Sequence, residues 1–408
     1  MRIYPLENTI QHYAWGTTDA IPALLGTPDP DGRPCAELWM GAHPSAPSKA
    51  LTDAGARPLD ALIASDPDAM LGPALAARYG QLPFLFKVLS AAEPLSIQAH
   101  PSKRKAELGF ARENLAGVPL SAPDRNYRDS NHKPEMAVAL EPFTALCGFR
   151  PADELVENMK IVAGDRWETF GKRFERNPGK VELSVGFYGV VSRPPEERDG
   201  LLARARVRLE RALETGLGPR PEAAARASLA LMDKYPRDIG ALAPLILNLV
   251  ELAPGEGLYI GAGVLHAYLR GTALEIMANS DNVLRGGLTP KHVDIPELVS
   301  TLDFEMRVPE RLAAERVGPG TLAYPRKADE FALDLLEPRL GPVSRGGGGP
   351  EILLCDEGAL YVAGNDGTRL ALPKGSSAFV AAGEAYRVEG DGRAWRAGVG
   401  LASSEAGS

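Results

Sequence analysis

The chain has 408 residues, with 45 basic and 53 acidic side chains and a net charge of −8 when the histidines are neutral. That is longer than one hydrophobic core ordinarily fills, and 44% hydrophobic with 24% charged residues excludes a disordered tail, a fibre or a coiled coil. The acidic excess without any basic run excludes duplex nucleic acid as a partner, because neutralising its phosphates needs clustered Lys and Arg.

The N-terminal segment through Gly16 has no continuous apolar run, and the longest apolar stretch, Leu242 to Leu252, is interrupted by Pro244, Asn248 and Glu251. Neither reads as a signal peptide or a membrane span; a cytoplasmic monomer is expected. Three cysteines, Cys35, Cys147 and Cys355, are odd in number and far apart. They form neither a disulfide framework nor a CxxC pair and read as isolated buried thiols.

In residues 1–150, Gly and Pro bracket short runs such as Phe84 to Leu89, Leu95 to Gln98 and Met136 to Leu140. These predict strands of a β-rich unit. Helices are predicted at Pro58 to Ala64 and from Ser102 to Leu115, the latter with Ser102 as N-cap. The texture changes over 151–236: Leu202, Leu209, Leu213 and Leu217 recur at spacings of seven, four and four, the stripe of an amphipathic helix. Glu222 to Met232 and Asp238 to Leu252 predict two more helices. β texture returns over 237–325, ending in a helix near Asp294 to Thr301, so the helical block reads as an insert. Residues 326–408 carry a Gly346 to Gly349 tract and then alternating strands with Gly turns, expected for a small antiparallel β unit.

Six histidines are present. In Gln98-Ala99-His100 the strand alternation puts Gln98 and His100 on one face. In Asn131-His132-Lys133-Pro134-Glu135 it puts Lys133 and Glu135 on one face and His132 on the other. His266 follows the Gly261-Ala262-Gly263 turn. Gln98, His100, Glu135 and His266 offer the oxygen and nitrogen donors that Zn²⁺ or another divalent first-row ion accepts. Taken singly these signals are weak, since a histidine at a strand end is ordinarily structural.

Tyr127-Arg128-Asp129-Ser130-Asn131-His132-Lys133-Pro134-Glu135 resembles the Y-x-D-x-N-H-K-P-E signature of type I mannose-6-phosphate isomerases, and the segment from His266 through Glu275, Asp281 and Arg285 to Lys291 resembles that family's second long signature. Tyr13-Ala14-Trp15-Gly16, Ala36-Glu37-Leu38-Trp39-Met40-Gly41 and Leu95 to Pro101 match as well. Gly286 departs from the family's usual alanine, which loosens the backbone without removing a functional group. The resemblance implies a mainly β fold with an α insert: a cupin-type β-barrel catalytic core built from 1–150 and 237–325, the helical insert 151–236, and a second, metal-free cupin-like domain at 326–408.

It also implies one Zn²⁺ per chain held by Gln98, His100, Glu135 and His266, and interconversion of mannose 6-phosphate and fructose 6-phosphate through a cis-enediol. Arg285, Lys133 and Lys291, helped by Ser102 at a helix N-terminus, are the expected phosphate and charge-stabilising groups, and Trp15 is expected to line the sugar cleft. Glu275, Asp281 and His132 are the candidates for proton transfer, with Glu275 preferred and His132 suited to ring opening. Two rivals are an iron-dependent cupin oxygenase and a non-catalytic sugar-binding cupin. The first is disfavoured by the basic residues, the second by the presence of every expected ligand and base.

Overall fold

The computed structural model describes residues 2–163 and 171–400. The architecture is sheet-rich with a helical block, and the long strand His266–Ala278 organises the half that carries the signatures. Gly271–Ala278 lies between Phe84–Ala91 and Glu135–Ala139, whereas His266–Arg270 lies between Ile97–Ala99 and Phe143–Phe149. The register shifts between Tyr268 and Arg270, and Gly271, at φ 110°, packs so closely on the Pro142 carbonyl that a side chain would collide with it. Such a bulge and glycine let one strand bend from one sheet face into another. Leu89, Ala137, Phe143, Val250, Ile260 and Tyr268 fill the space between the two faces.

The outer surfaces of this unit are covered differently. Ile97, Leu146, Leu265 and Leu284 pack against Leu202, Leu209, Ala224 and Leu231 of the helices Pro195–Thr215 and Pro219–Lys234, so the predicted leucine stripe is the buried face of the helical block. On the opposite side, Met40, Phe86, Val138 and Ile276 meet Ile352, Leu354, Phe379 and Trp395 of a nine-stranded sheet. The far face of that sheet closes on a four-stranded sheet through Leu353, Val380, Leu360 and Val388.

Two expectations need correction. Residues 1–150 do not stay together: Ile3–Glu7 pairs with Ser377–Val380 and with Lys49–Thr52, which in turn pairs with Gly55–Pro58. The start of the chain therefore completes the C-terminal sheet. The helix expected from Asp238 to Leu252 stops early. Asp238 does cap, accepting the Gly240 N–H at 2.8 Å, but helix ends at Ile246 and Leu247–Leu252 is a strand on Phe143–Phe149. The alternation of Val250, Glu251 and Leu252 between buried and exposed is a strand period, and pairing with an open edge outweighs helix propensity. Helices capped by Ser102 (Lys103–Leu115) and Asp294 (Ile295–Thr301) form as expected. Among the described residues no helix is long and apolar enough to cross a membrane.

Candidate metal centre

Register places the donors. His266 lies opposite Gln98, and Gln98 opposite Arg285, so these three side chains share one face in a row across three strands. Glu135 lies opposite Met277 on the His266–Ala278 strand. Gly263, at φ 76°, gives its N–H to the His100 carbonyl at 2.8 Å, drawing the turn before His266 onto the His100 segment. The outcome is a fully buried trio: His100 Nε2 is 3.3 Å from Glu135 Oε2, and His266 Nε2 is 3.0 Å from Glu135 Oε1.

The trio is incomplete by itself. His100 Nδ1 donates to the Asn282 carbonyl at 2.7 Å and His266 Nδ1 to the Val264 carbonyl at 2.9 Å. Both protons thus sit on the outer nitrogens, and both Nε2 lone pairs face a carboxylate. Accordingly His100 Nε2, His266 Nε2 and Glu135 Oε2 are buried without a hydrogen-bond partner. Burial, reinforced by Lys133, pushes His100 down to about 4 and keeps it neutral. Burial would raise the Glu135 carboxyl, but Lys133, whose Nζ lies 3.5 Å away, holds it well below the usual range. Tyr268 donates its hydroxyl to Glu135 at 3.2 Å. Lone pairs of two neutral imidazoles and one carboxylate converging in a dry site fit a divalent cation that would keep net positive charge. Gln98, on the same face, is placed to be a fourth donor.

A second buried ionic group stands on the same interior face. Lys87 is opposite Glu275 and Trp39 in register; its Nζ is 2.9 Å from Glu275 and 3.7 Å from Glu37. Trp39 donates to Glu37 at 2.7 Å. Burial acts to lower the Lys87 ammonium, yet Glu275 and Glu37 overrule it and raise it. Asp281 is half exposed, 3.4 Å from His43 Nε2, and that contact lowers its carboxyl. Tyr13 is stacked on Trp15 at 5.7 Å; burial first, then Glu37, raise its hydroxyl, with Lys87 opposing.

Arg128, Arg285 and Lys291 form a cation cluster. Burial and then Arg128 lower Arg285, while burial, Arg285 and Arg128 lower Lys291. Among the described residues no carboxylate is ion-paired with these three, and such mutual repulsion is the electrostatic footprint of an anion site. Sequence reasoning missed Arg128, although it is the variable residue of the Tyr127-Arg128-Asp129 signature. It also missed Lys87 and Glu37, whose signal was a single lysine inside the apolar run Phe84 to Leu89 and a glutamate beginning the strand Glu37–Gly41.

Other expected residues lie elsewhere. His132 points away from the trio, with Nε2 2.8 Å from Glu330 Oε1; it lies in the loop before the strand Glu135–Ala139. Lys133 sits on Glu135 instead of joining the cation cluster. The Ser102 hydroxyl caps its helix, accepting from the Lys105 N–H, which leaves its O–H free to donate. A second group of donors, His12, Asp29 and Cys35, already has its cation: Arg33 forks onto Asp29 at 3.2 and 3.4 Å and holds that carboxyl down to about 2.

The family description "Phosphomannose isomerase type I, catalytic domain" matches residues 3–152. The mannose-6-phosphate isomerase of Salmonella typhimurium is 44% identical over 391 residues, covering 95% of this chain and 97% of its own length. The human mannose-6-phosphate isomerase is 38% identical over 320 residues, 74% of this chain and 73% of its own. A solved mannose 6-phosphate isomerase in its holo, zinc-bound form superimposes with a TM-score of 0.88 at 41% identity, covering 98% of this chain and 100% of that one.

Proposed function

The chain belongs to the type I phosphomannose isomerases, and from that premise we propose that it is a zinc-dependent aldose–ketose isomerase interconverting mannose 6-phosphate and fructose 6-phosphate through a cis-enediol. The observation that carries the reading is the set of unpartnered lone pairs on His100, His266 and Glu135, next to an unbalanced cluster of cations. We read the two-faced sheet unit as a cupin-type barrel, and the nine- and four-stranded sheets as a second cupin-like unit without metal; no histidine follows His292 in the sequence.

Gln98, His100, Glu135 and His266 would hold one Zn²⁺ per chain. Bound there, the ion supplies Lewis acidity toward oxygen atoms on which negative charge develops. Arg285, Arg128 and Lys291 grip the phosphate dianion, so that the sugar extends from the cation cluster toward Glu135 along the row of Arg285, Gln98 and His266. Glu275 is the base. Its carboxylate lies on the same interior face as Glu135, since Glu275 and Met277 are two residues apart on one strand and Met277 is opposite Glu135. Glu275 takes the proton from C2 and returns it to C1. Lys87, 2.9 Å from Glu275, holds that carboxylate in place in a dry site. Asp281 and His43 sit at the rim and serve the approach of the sugar. Tyr13 and Trp15 offer it an apolar wall.

Purified protein is expected to contain one zinc per chain by mass spectrometry and to form fructose 6-phosphate from mannose 6-phosphate in a coupled assay. Iron in place of zinc, or no ketose phosphate from zinc-loaded protein, would sink this reading. Glu275→Gln is expected to lower kcat by about 10²- to 10⁴-fold, the usual worth of a positioned general base, and to stop exchange of the C2 hydrogen with solvent deuterium while leaving the zinc content intact.

A further inference from the structure

We propose that Asp129, which reaches neither the trio nor the cation cluster, is a positioning residue for both, acting through Asn282; the proposal rests on the zinc isomerase reading above. The His100 ring is oriented by a hydrogen bond, the Nδ1–H donated to the backbone carbonyl of Asn282. That carbonyl lies in the irregular segment 279–283, between the end of one strand and the start of Leu284–Gly287. Ladder hydrogen bonds do not fix it, so something else must.

The Asn282 side chain does so. It is fully buried; its Nδ2 donates to the carbonyls of Asp129 and Asn131, both at 2.8 Å, and its Oδ1 accepts the Arg128 N–H at 2.8 Å. The Asp129 carboxylate locks the same two segments together from the other side. Oδ1 accepts the Asn131 N–H at 2.8 Å and the Ser280 hydroxyl at 2.9 Å, and Oδ2 accepts the Asp281 N–H at 2.8 Å. Asn282 Nδ2 also reaches Oδ1 at 3.2 Å, so four donors from two segments need an acceptor at each oxygen, a requirement that a carboxylate meets and an amide does not. One clamp thus holds the carbonyl that orients His100 and the backbone that presents Arg128 beside Arg285. Metal geometry and anion grip are set by the same carboxylate.

Asp129→Asn keeps the size but must turn an NH₂ toward one of these donors. On the folded variant, zinc affinity read by competition with a chromogenic chelator is expected to fall about 10- to 100-fold, the usual consequence of losing an outer partner of a ligand. KM for mannose 6-phosphate should rise in the same protein. Asn282→Ala, which removes the clamp but keeps the carbonyl, should show both losses, and Ser280→Ala a smaller version of each. A folded Asp129→Asn protein with unchanged zinc affinity and KM overturns the proposal; if that variant does not fold, unchanged values in Asn282→Ala and Ser280→Ala do so instead. Wild-type protein that takes up no zinc in the same titration would sink the metal reading itself, which separates the two failures.

Discussion

Between the nine- and four-stranded sheets, Arg396 reaches Asp334 and Glu351, Arg345 lies 3.5 Å from Glu351, and Tyr386 donates to Glu351. Two carboxylates face two guanidinium groups. Burial would raise the Glu351 carboxyl, but Arg396 holds it below its ordinary value. In the interior that carries the signatures, by contrast, His100, His266 and Glu135 present lone pairs to one another, and the cations Arg128, Arg285 and Lys291 repel one another. Both interiors bury charge at a desolvation cost. The first has offset it internally and is structure, whereas the second is completed only by a cation at one end and an anion at the other.

The difference can be broken at either side. Glu135→Gln removes the one charge among the donors, so zinc and activity should disappear together, by more than the roughly 10- to 100-fold that outer partners are worth; mass spectrometry and the coupled assay read both. Retention of zinc would remove Glu135 from the ligand set. In the closed interior, Arg396→Met leaves Asp334 and Glu351 short of a partner and should destabilise the fold by about 3–5 kcal/mol, seen in urea unfolding. The folded fraction should keep its zinc content and KM. A change in KM there would mean that the second interior also serves the reaction.

A smaller effect sharpens the assignment of the cation cluster. Arg128→Ala removes one charge-assisted contact, worth about 1.5–3 kcal/mol, and being exposed it should act at the low end. The expectation is about a tenfold rise in KM for mannose 6-phosphate, with kcat and zinc content unchanged and weaker inhibition by inorganic phosphate. An unchanged KM would move the phosphate away from Arg128.

Much of this site was legible because strand alternation is a local rule. It put Lys133 with Glu135 and His132 on the opposite face, and the structure has His132 on Glu330, away from the trio. Yet the strand begins only at Glu135, so the opposite directions of His132 and Lys133 are set by the loop before it and not by alternation. Lys87 was hidden because a charge inside an apolar run gains meaning only from Glu275 and Glu37, which reach it from two neighbouring strands. The pairing of Ile3–Glu7 with Ser377–Val380 joins the two ends of the chain, and no local pattern specifies such a partner. For Leu247–Leu252, a short apolar run fits strand and helix alike until the free edge at Phe143–Phe149 decides between them.

The smallest expected effect concerns the backbone behind the site. Gly286 follows Arg285 on the strand Leu284–Gly287, and a Cβ there would stand 3.3 to 3.4 Å from terminal methyl groups of Ile97, Leu298 and Leu265. Ile97, Leu265 and Gly286 also border a cavity of about 350 Å³ beneath the helical block, so the methyl groups of Ile97 and Leu265 have room to yield. Gly286→Ala should therefore keep the strand geometry and gain the usual 0.4–1 kcal/mol, roughly, from a less free unfolded chain. A modest rise in Tm with unchanged KM is the expected result. A higher KM instead would show that the freedom of this glycine is what lets Arg285 reach the phosphate, and would tie the slack beneath the strand to the open interior above it.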